Sequence, residues 1–231
     1  DMPVEGRLLS QWLHGAVAAD LHFDVKVRYS RRPTRFPRYQ DFIFDDPARD
    51  FFGAEQDITE GDLDDKGEAR FPIKLDIDQP SPGMLDATFV TRVFEETGDF
   101  SSDTLTLPFH PFSSYVGIKT PKGDEARGML LTDRDHIVNI VTLDPSGNLV
   151  SRDKLEVSLY KISWKWWWDK SGESLAQYAS ASYTEALQRG VVSTVGGEGQ
   201  WKFQIKYPDW GRYLIRVVDP ASGHATGKIL Y

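Results

Sequence analysis

Leu21-His22-Phe23-Asp24-Val25-Lys26-Val27-Arg28-Tyr29 is the stretch on which the fold turns. Leu21, Phe23, Val25, Val27 and Tyr29 alternate with His22, Asp24, Lys26 and Arg28. A period of two puts the five apolar side chains on one face of a β-strand and the polar ones on the other. Ala87 to Phe94 repeats the pattern, with Ala87, Phe89, Thr91 and Val93 on one face. Glu95-Glu96-Thr97-Gly98-Asp99 is a turn, and Thr104 to Leu107 resumes extended structure. Further strands are expected over His136–Leu143 and Leu155–Trp168, on either side of the turn Asp144-Pro145-Ser146-Gly147. Two hairpins are read near the end. One joins Val191–Val195 to Trp201–Tyr207 through Gly196-Gly197-Glu198-Gly199, the other joins Arg212–Val218 to Ala225–Tyr231 through Asp219-Pro220-Ala221-Ser222-Gly223.

Short strands at this spacing predict all-β structure: two antiparallel β-sandwiches in tandem, of a fibronectin-III-like kind. Only Ser174–Gln188 carries a helical period, as a short helix or an irregular insertion near 169–190 of the second sandwich. Alternation fails at Pro108-Phe109-His110-Pro111-Phe112-Ser113-Ser114, which is expected to connect the domains because two prolines make a poor central strand. The domains are therefore 1–111 and 112–231.

Composition excludes several chemistries. The 231 residues hold no Cys, so disulfides, thiolate metal sites, a Cys nucleophile and a Cys-based thioester are absent from them. With 27 Lys and Arg against 35 Asp and Glu, the net charge of −8 argues against nucleic acid as a partner. The 13 Phe, 9 Tyr and 7 Trp are ample for packed cores. No apolar run is long enough to span a bilayer, and Asp1-Met2-Pro3-Val4-Glu5 does not read as a secretory signal. The chain is expected to be either cytosolic or a piece of something longer.

No motif announces catalysis, a cofactor or a metal. Gly223-His224-Ala225-Thr226-Gly227-Lys228 is one residue short of a phosphate loop and runs into strand-like Ile229-Leu230-Tyr231, so a hairpin turn is expected. Asp57, Glu60, Asp62, Asp64, Asp65 and Glu68 lack the spacing of a calcium loop and read as a solvated segment. His14, His22, His110, His136 and His224 show no zinc spacing. Arg28, Arg31, Arg32, Arg35 and Arg38 are interleaved with Tyr29, Phe36 and Tyr39, but Pro33, Pro37 and the acids that follow make this a charged loop. Trp164, Trp166 and Trp168 share one strand face. They either stack sugar rings or fill a core, and the cost of baring three indoles favours burial.

The order of motifs resembles the macroglobulin-like domains of bacterial alpha-2-macroglobulins. Gln11-Trp12-Leu13-His14-Gly15-Ala16-Val17-Ala18-Ala19-Asp20-Leu21 is similar to the Tyr-Leu-x-Gly-Ala-Pro-Ala opening of one such domain, with Val17 in place of the usual Pro and Asp20 in place of the usual Gly. Phe36-Pro37-Arg38-Tyr39, Phe42-Ile43-Phe44-Asp45, Leu63–Ala69 and Arg92–Gly98 continue the likeness. Tyr115-Val116-Gly117-Ile118-Lys119 opens a second domain, followed by Asp144-Pro145-Ser146-Gly147, Trp164-Lys165-Trp166-Trp167-Trp168, Trp210–Ile215 and Ser222–Lys228. The resemblance implies the fifth and sixth macroglobulin domains, upstream of the bait region of a parent that inhibits or traps proteases. It also implies a non-enzymatic scaffold without cofactors, in the periplasm or cell envelope. Its partners would be the parent's other domains and, through the parent, proteases, with membrane contact only through a lipid anchor elsewhere on the parent. A carbohydrate-binding module using Trp164, Trp166 and Trp168 is the rival expectation, and an accessory domain of an enzyme a weaker one.

Overall fold

The computed structural model describes residues 4–53, 55–162 and 186–231. Contacts divide the chain into two packing units, which depart from a single cut along the sequence. The first unit holds Asp1–Arg31, Phe52–Gln79 and Leu85–Phe109, and the second holds Arg32–Phe51, Pro80–Met84 and His110–Tyr231.

In the first unit, β1 (Val4–Leu9), β2 (His22–Arg31), β3 (Glu55–Asp62), β4 (Glu68–Ile73), β5 (Leu85–Phe94) and β6 (Phe100–Phe109) form two antiparallel sheets. The larger has the order β3-β2-β5-β6, and β1 pairs with β4 in the smaller. Val25 faces Thr91 and Val27 faces Phe89 across the β2–β5 ladder. The expected inward face is the observed one: Phe23, Val25, Val27, Tyr29, Ala87, Phe89 and Val93 are buried. The β5–β6 hairpin closes on Gly98 at φ 91°, with Glu95 and Asp99 bonded across the turn. Pro108 and Phe109 end β6, so the expected connector over 108–114 begins in a strand; β6 is an edge strand, where a sheet tolerates Pro. In the opening loop, Asp20 takes φ 60°. Asp is one of the few side chains that tolerate this left-handed conformation.

In the second unit, β7 (Tyr115–Lys119), β8 (Asp135–Leu143), β9 (Arg152–Ile162), β10 (Gln188–Thr194), β11 (Glu198–Gln204), β12 (Arg212–Val218) and β13 (Ala225–Leu230) build two sheets, ordered β11-β8-β7 and β10-β9-β12-β13. Between them lie Val116, Ile118, Val138, Ile140, Leu155, Val157, Leu159, Tyr213, Ile215 and Val217. The β12–β13 hairpin forms as expected, from Val218–Ala225 to Tyr213–Leu230.

The hairpin expected over 191–207 does not form. β10 pairs with β9 and β11 with β8, so the chain changes sheets at Gly196-Gly197 and only Val195 and Glu198 still bridge. Both glycines have positive φ, 59° and 85°, so the tight turn was legible. Which sheet each strand joins afterwards depends on partners distant in sequence. The expected strand end after Ile162 and most of the expected helix or insertion over 169–190 lie outside the described residues, while Gln188–Gly190 belong to β10. Among the described residues the only helical turn is a 3₁₀ turn, Pro37–Tyr39.

Candidate functional site

The polar groups of the second unit gather around two buried aspartates. Asp219 opens the β12–β13 turn. Its Oδ1 accepts the Ala221 N–H at 3.0 Å, and its Oδ2 accepts Ser114 Oγ at 2.8 Å, Ser222 Oγ at 2.9 Å and Arg152 Nε at 3.3 Å. Asp46 lies in Arg32–Phe51 and repeats the local turn, accepting the Ala48 N–H at 3.0 Å. Its Oδ2 takes Arg216 Nε at 3.0 Å and Nη2 at 2.7 Å, while Arg49 stands at 3.4 Å. Neither aspartate is reachable by solvent. A buried carboxylate survives only when paired and saturated with hydrogen bonds, and both are.

His224 lies directly after the turn that Asp219 opens. Its Nδ1 accepts the Val116 N–H at 3.0 Å, so Nε2 carries the proton. The Phe112 and Tyr115 rings flank it with centroids 4.8 Å away. Burial pushes its pKa down to about 3, and the Arg49 charge adds to the effect. Burial likewise raises the Tyr115 phenol and lowers His110. Among the described residues His224 Nε2, Tyr115 Oη and His110 Nδ1 are buried without a hydrogen-bond partner.

Ser114, His224 and Asp219 are the nearest approach to a nucleophile, base and acid. A relay needs the serine bonded to the histidine and the histidine to the aspartate. Here Ser114 bonds Asp219 directly, and His224 spends its basic nitrogen on a backbone N–H. The arrangement fixes a turn and a sheet edge to one another and lacks the serine–histidine and histidine–aspartate bonds of a relay.

A concavity of about 450 Å³ elsewhere in the second unit is walled in part by Met129, Leu131, Ile205, Trp210, Tyr213 and Tyr231. The Arg212 guanidinium lies 5.3 Å from the Tyr231 ring centroid. Its walls are mostly apolar and aromatic, with Asp124, Arg127 and Arg212 also lining it.

The sequence candidates fall as follows. Trp164, Trp166 and Trp168 lie outside the described residues, so nothing places them as a core or a platform. Of the phosphate-loop look-alike, Gly223 at φ 75° and His224 end the β12–β13 turn, and Ala225–Lys228 belong to β13. In the acidic stretch Asp64 accepts the Lys66 and Glu68 N–H groups at 2.9 and 2.8 Å, and Asp57 pairs with Lys26 at 2.9 Å. No metal-ligating cluster occurs among the described residues. Of the basic segment, Arg28 pairs with Glu55. The sequence reading weighed His224 only as a zinc ligand and a phosphate-loop residue, and did not single out Asp46 or Asp219 as buried. The available signal was the Asp-Pro pair: Asp46-Pro47, Asp144-Pro145 and Asp219-Pro220 each fold as a turn in which the carboxylate caps the N–H two residues on.

Two family models match the chain in order. Residues 1–111 match the bacterial alpha-2-macroglobulin MG5 domain, and residues 117–231 match bacterial macroglobulin domain 6. No curated protein matches. Among solved structures, the chain is 17% identical to trypsin-activated alpha-2-macroglobulin from Escherichia coli, with TM-score 0.59, covering 99% of this chain and 15% of that one. It is 16% identical to the native conformation of the Escherichia coli protein, with TM-score 0.53 and the same coverage. A mutant alpha-2-macroglobulin from Salmonella gives 14% and 0.54, covering 98% of this chain and 15% of that one. The chain thus spans about 15% of the length of these structures, and at such identity the likeness shows the fold. With both sandwiches and both domain models in consecutive order, the chain belongs to the bacterial alpha-2-macroglobulin family and comprises its macroglobulin domains 5 and 6.

Proposed function

We propose that the chain is a non-catalytic scaffold within a bacterial protease trap, with the cleavable bait and the thioester on other parts of the polypeptide. The observation that carries this reading is the consecutive match of two macroglobulin domains over nearly the whole chain. Two features support it. A thioester of the Cys–Gln type needs a Cys, and the sequence has none. The buried Ser, His and Asp side chains of the second unit are committed to holding backbone and to one another. The partners are then other domains of the parent and, through the parent, attacking proteases. The site of action is the periplasm or cell envelope, where a lipid anchor on the parent would hold the trap and where it would defend the bacterium.

The test is incubation of the chain with trypsin and with elastase, following residual activity on a large protein substrate. Activity should stay unchanged, with no adduct on a denaturing gel. Stoichiometric loss of protease activity, or an adduct that survives denaturation, would overturn the scaffold reading.

A further inference from the structure

The sandwich of β7–β13 is closed by residues that belong, by sequence, to the preceding domain. β7 is the last strand of one sheet and β13 the last strand of the other. Each leaves a row of backbone donors and acceptors that must find a partner or water. Arg32–Phe51 serves both rows. The Ile43 N–H donates to the Ile118 carbonyl at 2.8 Å, and the Ile118 N–H returns the bond at 2.9 Å. On the other sheet, Thr226 Oγ1 donates to the Ile43 carbonyl at 2.8 Å, and the Gly227 N–H to the Asp45 carbonyl at 3.2 Å.

Side chains follow the same course. Phe44 is buried against Phe36, Tyr115, Val141 and Leu143. Its ring occupies the space that a Cβ on Gly117 would need. Asp46 neutralises Arg216 on β12, and Ala48 packs on Tyr160, Ile162 and Leu214. Pro80–Met84 ties the segment down: the Asp46 N–H donates to the Pro82 carbonyl at 2.9 Å and the Met84 N–H to Thr34 Oγ1 at 2.7 Å.

We propose that Arg32–Phe51, held by Pro80–Met84, is an obligatory plug: strands β7–β13 keep their fold only with it docked, so residues 117–231 are an incomplete folding unit despite matching a whole domain model. This dependence holds whatever the parent protein does.

The experiment is region-resolved hydrogen exchange on the full chain carrying Phe44→Ala, Gly117→Ala or both, with Phe44→Leu as a milder variant. Removing a buried Phe should speed exchange in β7, β12 and β13 by roughly a hundred-fold or more. β2 and β5 should stay within about threefold of the parent chain, and Phe44→Leu should fall between. Gly117→Ala alone should also speed exchange in β7, β12 and β13, because the new Cβ displaces the Phe44 ring. Added to Phe44→Ala, which vacates that space, it should change little, a coupling that only contacting residues show. Unchanged exchange in β12 and β13 after Phe44→Ala would overturn the proposal. So would equal acceleration in β2 and β5 with Phe44→Leu, or a Gly117→Ala effect as large in the Phe44→Ala background as alone.

Discussion

The two packing units share an architecture and differ in what they bury. Among the described residues, every buried polar or charged side chain belongs to the second unit: Thr34, Asp46, Ser81, Ser114, Thr142, Thr194, Asp219, His224 and Thr226. In the first unit the ion pairs stay outside the core, on the smaller sheet as Arg7 with Glu68 and mainly on the outer face of the larger sheet. Lys26 pairs there with Asp57 at 2.9 Å, Arg28 with Glu55, and Arg92 with Asp24. The first unit is thus held by apolar burial and backbone ladders, which need only a pattern. The second adds buried polar contacts that hold loops from distant parts of the chain in one arrangement. Such contacts tolerate no missing partner, so the two units should answer differently to charge, to acid and to a misplaced hydroxyl.

The largest difference should come from Asp46→Asn. The change keeps the shape and removes the charge that faces Arg216 and Arg49, leaving two guanidiniums buried side by side. Breaking a buried pair from one side costs about 3–5 kcal/mol. Exchange-derived stability should fall by that amount in β9, β12 and β13, while β2 and β5 keep theirs. An effect below about 1 kcal/mol would mean that the pair is wetter than its burial implies.

Acid should produce the next effect. His224 is held neutral down to about pH 3, whereas in an unfolded chain it takes up a proton near pH 6.5. Between those values the unfolded state binds a proton that the folded state refuses, so stability falls as pH drops. At pH 7 neither state is protonated and the term vanishes. Going from pH 7 to pH 4 should cost the second unit about 3 kcal/mol, with the lowered His110 acting in the same direction. The check is denaturant-dependent exchange at both pH values in the parent chain and in His224→Asn. The amide keeps an acceptor for the Val116 N–H but does not titrate. If the variant shows the same acid loss, His224 is not its source.

Legibility in the sequence follows the same division. The inward face of β2 and β5 was readable because alternation is local, and Phe23, Val25, Val27 and Tyr29 are buried as that pattern requires. All three Asp-Pro turns were equally local. What the sequence hid is that Asp46 and Asp219 are swallowed while Asp144 caps an exposed turn. The difference lies in Arg216 and Arg152, which are 170 and 67 residues away. The same blindness produced the false hairpin over 191–207, where the turn was read correctly and the sheet assignment was not. It also hid the departure of Arg32–Phe51 from its own half of the chain. A loop rich in Arg, Pro and Asp carries no periodic signal, and its anchors Phe36, Phe44 and Asp46 are spaced by the surface they meet.

The smallest effect sharpens the comparison from the first unit's side. Val27 is fully buried on β2, opposite Phe89 on β5, and its β3 partner Gln56 already bonds the Tyr29 hydroxyl, the Asp76 N–H and the Lys74 carbonyl. Val27→Thr changes almost no volume, so packing is held constant and one donor is added. In the second unit a buried threonine has partners: Thr142 Oγ1 donates to the Val150 carbonyl at 2.5 Å and lies 2.7 Å from Thr194 Oγ1. In the first unit the new hydroxyl meets ladder carbonyls that are already engaged and a Gln56 amide that is already bonded to Tyr29, Lys74 and Asp76. An unsatisfied buried hydroxyl costs about 1–3 kcal/mol, and the loss should appear in β2, β3 and β5 alone. The reverse change, Thr142→Val, should also destabilise, but in the second unit only, because it leaves the Thr194 hydroxyl with the Arg152 N–H alone and takes the hydroxyl donor from the Val150 carbonyl. Two substitutions of the same pair of side chains, in opposite directions, would then both cost stability. If Val27→Thr proved neutral, water or a rearranged Gln56 amide would be serving the new hydroxyl, and the contrast between an apolar sandwich and a polar one would fail.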